Sequence, residues 1–402
     1  MTGATVDHLV SLIVLLGAIL LFIGLFNQTI QTAVIYQQHR YLADKCSDLL
    51  DNMLLNPGDS NGTMFWGESN STPTSFGLQD PEFTQYELSS FSLMRLDYSP
   101  GNPVYYPETT MSYSNNTLGP GASLLVPFNE VINYSTVQTL LGINGTFGFT
   151  LTISPIVAVN VIETQLNPLS VTVTVSGNGY PLANANVSYC FINVVDQSQY
   201  PSYNISGGFS VTNNAGQTFL SFPGFDGTQA SYAVIVYASL SGLVGSGYYQ
   251  HVSYKDNYVV PLIADFSNDS VILAHSSDIY SGNNPAPIGF NATFVLLTQD
   301  FSLRQMPLSN ASGSISAGTY DNIAIPTNNT GIAVIAYEKD PGDAGIALMP
   351  WGLSSLSFPV VFGGNPLTNE WVATDIREAT VNGVAYQVKL ALWSLTGYQV
   401  VS

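Results

Sequence analysis

The chain is 402 residues long, carries a formal charge of −19 and holds only eight Lys or Arg. Nucleic acid is recognised by clustered cations, so this composition excludes it as a partner. Charged residues make up just 9% of the sequence, which keeps carboxylate repulsion small when external pH moves the ionisation and so suits an acidic exterior.

The first predicted element is the dominant one. Residues 9–26 form an apolar run interrupted only by Ser11, Gly17, Ala18 and Gly24, and no charged side chain occurs between Asp7 and Arg40. At 1.5 Å per residue the run extends roughly 27 Å, enough for the hydrocarbon core of a bilayer, so the membrane is the expected partner of residues 9–26. The rival reading is a secretory signal, which normally follows basic residues and ends in a small-residue cleavage site. Residues 1–8 contain no Lys or Arg, and residues 24–28 contain no Ala-x-Ala site.

Helical spacing continues beyond the apolar run. Leu42, Cys46, Leu49, Leu50 and Met53 recur at three and four, with Asp44, Lys45, Asp48 and Asp51 between them, until Asn56-Pro57-Gly58 stops the pattern. The expectation is one helix of about fifty residues, apolar all round in its first half and amphipathic in its second. The amphipathic half needs a protein surface to bury its stripe. In the first half, Leu12, Leu16, Gly17, Leu20 and Gly24 are the candidate helix-packing residues, because small residues let helices approach closely.

Residues 57–165 begin irregularly, with a turn cluster at 99–103. Val131, Ile132, Tyr134, Val137, Leu140 and Leu141 then fall at helical spacing, and residues 145–154 alternate as a half-buried strand. This predicts a small α+β head packed on the stem. In residues 166–261, segments 169–175 and 185–191 alternate strictly, and further strands are expected at 232–238 and 247–254. Short strands about ten residues apart predict a β-sandwich. The order of alternating strand, Gly179-Tyr180-Pro181-Leu182, second strand, and Asn214-Ala215-Gly216 before another strand resembles immunoglobulin-like and carboxypeptidase-regulatory-like modules.

Residues 262–402 carry strand patterns at 269–273, 290–297, 332–337, 356–362 and 384–393, with Val381-Asn382-Gly383-Val384 as a hairpin turn. The expected fold class is therefore a mainly β ectodomain of sandwich modules on a single long N-terminal helix. Its expected divisions are residues 1–56, 57–165, 166–261 and 262–402. No second hydrophobic span follows the stem, so the C-terminus is expected outside the membrane.

Cys46 and Cys190 fall in different modules and read as small buried hydrophobes rather than a bridge. Asn-x-Ser/Thr sequons occur at Asn27, Asn61, Asn70, Asn115, Asn133, Asn144, Asn186, Asn204, Asn268, Asn291, Asn310 and Asn328. All but Asn27, which borders the apolar run, are candidate glycosylation sites if this part of the chain lies outside the cytoplasm. His8, His39, His251 and His275 show no metal-ligand spacing, and no nucleophile elbow or phosphate loop is present. No cofactor or metal is implied, and catalysis is not expected. The acidic turn with Asp340 and Asp343 offers too few oxygens for Ca²⁺. Tyr105, Tyr106, Tyr248, Tyr249 and Trp351 are either core residues or a patch for surface glycans.

The stem as a whole, through Val6-Asp7-His8-Leu9, the run 12–26, the tract 40–55, Asn56-Pro57-Gly58 and Trp66-Gly67, resembles that of archaeal type IV pilins and pilin-like surface proteins. The resemblance covers about 67 of 402 residues and implies cleavage by a prepilin peptidase between Gly3 and Ala4. One departure is that Met1 and Thr2 supply no basic residue before that bond. The function it implies is structural: a filament subunit, more a minor than a major one, that self-associates or joins other pilin subunits and exposes a glycosylated head for adhesion. The alternative is a membrane-anchored surface binding protein that enters no filament.

Overall fold

A computed structural model describes residues 2–60, 65–69, 71–82, 85–96, 102–117, 123–196, 200–253, 256–280, 285–297, 303–326, 329–340, 342–352, 359–366 and 371–395. The molecule is mostly β, with one long N-terminal helix, as the sequence patterns predict. Helix α1 (Thr2–Leu54) runs without interruption, and the Asn56-Pro57-Gly58 turn carries the chain out of it. Its second half buries Leu42, Cys46, Leu49, Leu50 and Met53, the predicted stripe, and Leu54 beside it.

After the stem the chain forms a single 3-10 turn (Trp66–Glu68) and α2 (Ser90–Met94), capped by the Ser89 hydroxyl, which accepts from the Ser92 amide. A three-stranded antiparallel sheet follows, β1 (Val104–Tyr106), β2 (Met111–Thr117) and β3 (Ser123–Pro127). Then come α3 (Tyr134–Leu140), capped by Asn133, and β4 (Phe147–Pro155).

The sandwich comprises β5 (Val157–Leu166), β6 (Leu169–Gly177), β7 (Tyr180–Pro181), β8 (Asn186–Val195), β9 (Ser202–Val211), β10 (Gln217–Phe222), β11 (Tyr232–Leu240) and β12 (Leu243–His251). One sheet has the order β10-β6-β5 with β7 on β6, and the other β12-β11-β8-β9. Val157, Val159, Val161, Val171, Val173 and Val175 of the first sheet meet Val187, Phe191, Val234 and Val236 of the second. The module begins at Val157, not at residue 166 as expected, because β5 contributes three inward valines and pairs antiparallel with β6.

A seven-stranded sheet follows, from β13 (Val259–Asp265), β14 (Ser270–His275), β15 (Ile288–Leu297), β16 (Leu303–Ile315), β17 (Tyr320–Ala324), β18 (Gly331–Glu338) and β19 (Ala344–Trp351), with the single-turn helix α4 (Ser276–Ile279) after β14. The strand order is β13-β14-β17-β16-β15-β18-β19. Val260, Leu262, Ile272 and Ala274 pack on the β1–β3 sheet, while Val259, Ile263, Val271 and Leu273 face the main core. Burial on both faces explains why residues 259–263 read as a continuous apolar run without alternation.

The last strands leave this sheet. β20 (Val360–Gly363), β21 (Ala373–Val381) and β22 (Val384–Ser394) join β4 in the order β20-β4-β22-β21. Leu151 of β4 lies between Phe362 and Leu390. The expected boundaries of 57–165 and 262–402 are therefore corrected. The apolar face and both edges of β4 are completed by strands more than two hundred residues away, and one contiguous core runs from Leu42 to Leu392. Of the strand expected at 356–362, residues 356–358 lie outside the described residues. The 381–384 hairpin turn is as expected, with Asn382 and Gly383 both at positive φ (50° and 77°).

Candidate functional site: the stem helix and its socket

Two different surfaces share one helix. From Val6 to Gln37 every side chain of α1 is exposed, and contact with the head begins at Gln38 and His39. The helix is long and apolar enough to cross a membrane. Leu12, Leu16, Leu20 and Gly24 stand four residues apart and so form one row, with Gly17 beside it. Leu20 is 69% exposed, and a Cβ at Gly17 or Gly24 would meet nothing within 4 Å. Gly3 and Ala4 lie in the first turn of α1, their side chains outside the described residues.

Above Gln37 the helix enters a socket made by β21 and β22. His39 stacks on Trp371 with ring centroids 4.0 Å apart and planes 9° apart. The Cys46 thiol points at the Leu390 and Ala373 carbonyls (3.5 and 3.7 Å). Burial, then the Asp375 charge, pushes that thiol up to about 11, so it remains a neutral packing group. Arg377 of β21 latches the helix: Nε donates to Asp51 Oδ1 (3.1 Å), Nη1 to Asp375 Oδ1 (2.7 Å) and Nη2 to Ser47 Oγ (3.0 Å). The Asp51 hydrogen bond is the main reason the guanidinium is held charged more firmly than usual. Burial opposes ionisation of Asp375, but hydrogen bonds from Ser47, Ile376 and Arg377 outweigh it and hold its carboxyl below the ordinary range.

The latch was not foreseen from the sequence. The available signal was the rarity of cations: Arg377 is one of only eight in the chain and sits in an alternating strand. Cys190 is buried and free like Cys46, as expected, and burial pushes its thiol up to about 12. Among the aromatics, Tyr106, Tyr248 and Trp351 are core residues and Tyr105 is exposed. Tyr249 belongs to an inter-sheet clamp in the sandwich, where Glu163 Oε2 accepts from Tyr232 Oη and Tyr249 Oη (3.2 Å) and lies 3.1 Å from His251 Nδ1. In the acidic turn, Asp340 pairs with Lys339 (3.4 Å). Among the described residues no three His, Cys, Asp or Glu side chains gather as a metal site. Asn133, Asn144, Asn186, Asn204, Asn268 and Asn310 are exposed, and Asn115 and Asn291 are half-buried. Asn61, Asn70 and Asn328 lie outside the described residues.

No protein-family profile and no curated protein matches this sequence. Among solved structures, Escherichia coli alpha-2-macroglobulin activated by porcine elastase is similar at 12% identity and a TM-score of 0.20, over 56% of this chain and 23% of that one. Red sea bream transglutaminase is similar at 9% identity and a TM-score of 0.17, over 60% of this chain and 37% of that one. This chain thus spans less than half the length of either, and likenesses at these scores transfer no activity.

Proposed function

We propose that the protein is a structural cell-surface protein, a pilin-like, minor filament subunit assembled through α1, with its head and C-terminus outside the membrane. The observation that carries this reading is the excess of free apolar helix. Residues 2–37 extend roughly 54 Å beyond the head, against about 30 Å of hydrocarbon. The surplus segment is uncharged and keeps Ile30, Val34, Ile35 and Tyr36 exposed, with Ile30 at 46%. An anchor needs no such segment, whereas helix packing between subunits would cover it. The exposed sequons and a charge density of only 9% suit a glycosylated head that meets other surfaces.

The test is Gly17→Asp. A carboxylate at mid-run costs about 2.5–3.5 kcal/mol on insertion, which the remaining leucines offset, but it blocks close helix approach. Wild-type protein is expected in filaments sheared from cells, starting at Ala4 by N-terminal sequencing. The variant is expected in membranes and absent from filaments. Wild-type protein confined to membranes, where other filaments are recovered, overturns the filament reading in favour of a plain anchor.

A further inference from the structure

The outer face of the β12-β11-β8-β9 sheet is divided. Toward its centre Cys190, Ile192, Val194, Ala233 and Ile235 are buried in the main core. At its other end the face is open, and a groove of about 490 Å³ lies over two cross-strand rows. One row is Ser239, Asn186 and Val211, and the other is Tyr237, Ser188 and Phe209. Phe209 is 76% exposed and Val211 53%, a large apolar exposure for a strand of a well-packed head. No ionisable acid or base lines the groove apart from the Tyr237 phenol; the rest of the lining is hydroxyl, amide, aliphatic and aromatic. On a chain of charge −19, such a lining selects a neutral ligand with C–H faces and many hydroxyls, which is a saccharide.

Asn186 and Ser188 are also the first and third residues of a sequon, and both line the groove. We infer that the groove is filled by a neutral glycan carried on Asn186 of the same chain, its sugar faces lying on Phe209 and Val211. The inference rests on the head being outside the cytoplasm, as proposed above. The glycan forms by a bond from Asn186 Nδ2 to the anomeric carbon of an activated glycosyl phosphate, delivered by a separate transferase. The phosphate departs with the anomeric oxygen, and the amide loses one proton. Ser188 is buried and β8 is paired on both sides, so transfer precedes the pairing of β8. The sugar is therefore in place on the open face as the sandwich folds.

The experiment uses full-length protein from native membranes, mapped by glycopeptide mass spectrometry, beside Asn186→Gln, Ser188→Ala and Asn144→Gln. The expected result is a glycan on Asn186. Its loss in either groove variant lowers Tm by several degrees and raises binding of an apolar dye. Asn144→Gln, at an exposed site outside the groove lining, loses its sugar without either change. In protein made without glycosylation, Asn186→Gln shifts nothing further. A bare Asn186 beside other occupied sequons overturns the groove assignment alone. So does an occupied Asn186 whose variant behaves like Asn144→Gln, or an equal Tm loss in unglycosylated protein. Absence of sugar from every sequon overturns this inference, and recovery of the same protein from sheared filaments leaves the filament reading standing.

Discussion

Arg95 is fully buried, and its guanidinium is spent on carbonyl oxygens: those of Trp66, Ser69 (2.5 Å), Ser71 (3.0 Å) and Glu130 (2.8 Å). It also lies 5.3 Å from the Trp66 ring centroid. Burial lowers its pKa to about 10. The neighbouring Glu130 is raised to about 7, chiefly by burial and in spite of Arg95. A carboxyl raised on folding contributes stability that is complete below its unfolded value near 4.5 and is lost as pH rises through the folded value. Glu68, also raised by burial, acts in the same direction. Urea midpoints of the wild type should therefore fall between pH 4.5 and 7. Glu130→Gln should flatten that slope and give a higher midpoint than wild type at pH 7, and an unchanged slope would remove Glu130 from the account. Arg95→Met leaves four carbonyls without their donor and should cost about 3–5 kcal/mol.

At the scale of elements, α1 divides into a part the head needs and a part it does not. Deleting residues 6–37 should leave the head's Tm unchanged, because every one of those positions is exposed rather than packed on it. Leu50 is fully buried in the socket, and Leu50→Ala should cost about 2–5 kcal/mol by loss of transfer energy and an unfilled cavity. Thermal melts of the two proteins decide the point, and equal loss in both would mean that the free helix is structural. A second element-level constraint lies where the edges of the two sandwich sheets meet. A Cβ at Gly245 would fall 2.1 Å from the Val157 carbonyl oxygen, and one at Gly247 would fall 2.6 Å from that of Val159. Gly245→Val must push β12 off β5 and should cost about 1–3 kcal/mol or more. Gly383→Ala, at φ 77° but in open space, should cost only about 1 kcal/mol. Denaturant titration of both checks the order.

For the whole molecule, the shared core predicts which pieces stand alone. Residues 157–251 own a separate core and should unfold cooperatively when excised. They would also self-associate, because Cys190, Ile192, Val194 and Ile235 lose their cover. Residues 262–402 excised should keep protection in β14–β19 but not in β20 and β22, whose pairing partner β4 is missing, nor in β21, which is held only through β22. Amide hydrogen exchange on the fragment measures this, and protection throughout would restore the boundary drawn from the sequence pattern.

The sequence by itself determined the local elements. The length of α1, its change from apolar to amphipathic, the alternating strands 169–175 and 232–238 and the Asn382-Gly383 turn all follow from periods and dihedral preferences within a few residues. It also put Leu42, Cys46, Leu49, Leu50 and Met53 on one buried stripe. Tertiary structure alone decided what that stripe meets. Many strands here share the same period of two, so alternation names a face and not a partner. The pairing of β4 with β20 and β22 and the Arg377 latch to Asp51 were thus set by what the folded core had left to cover.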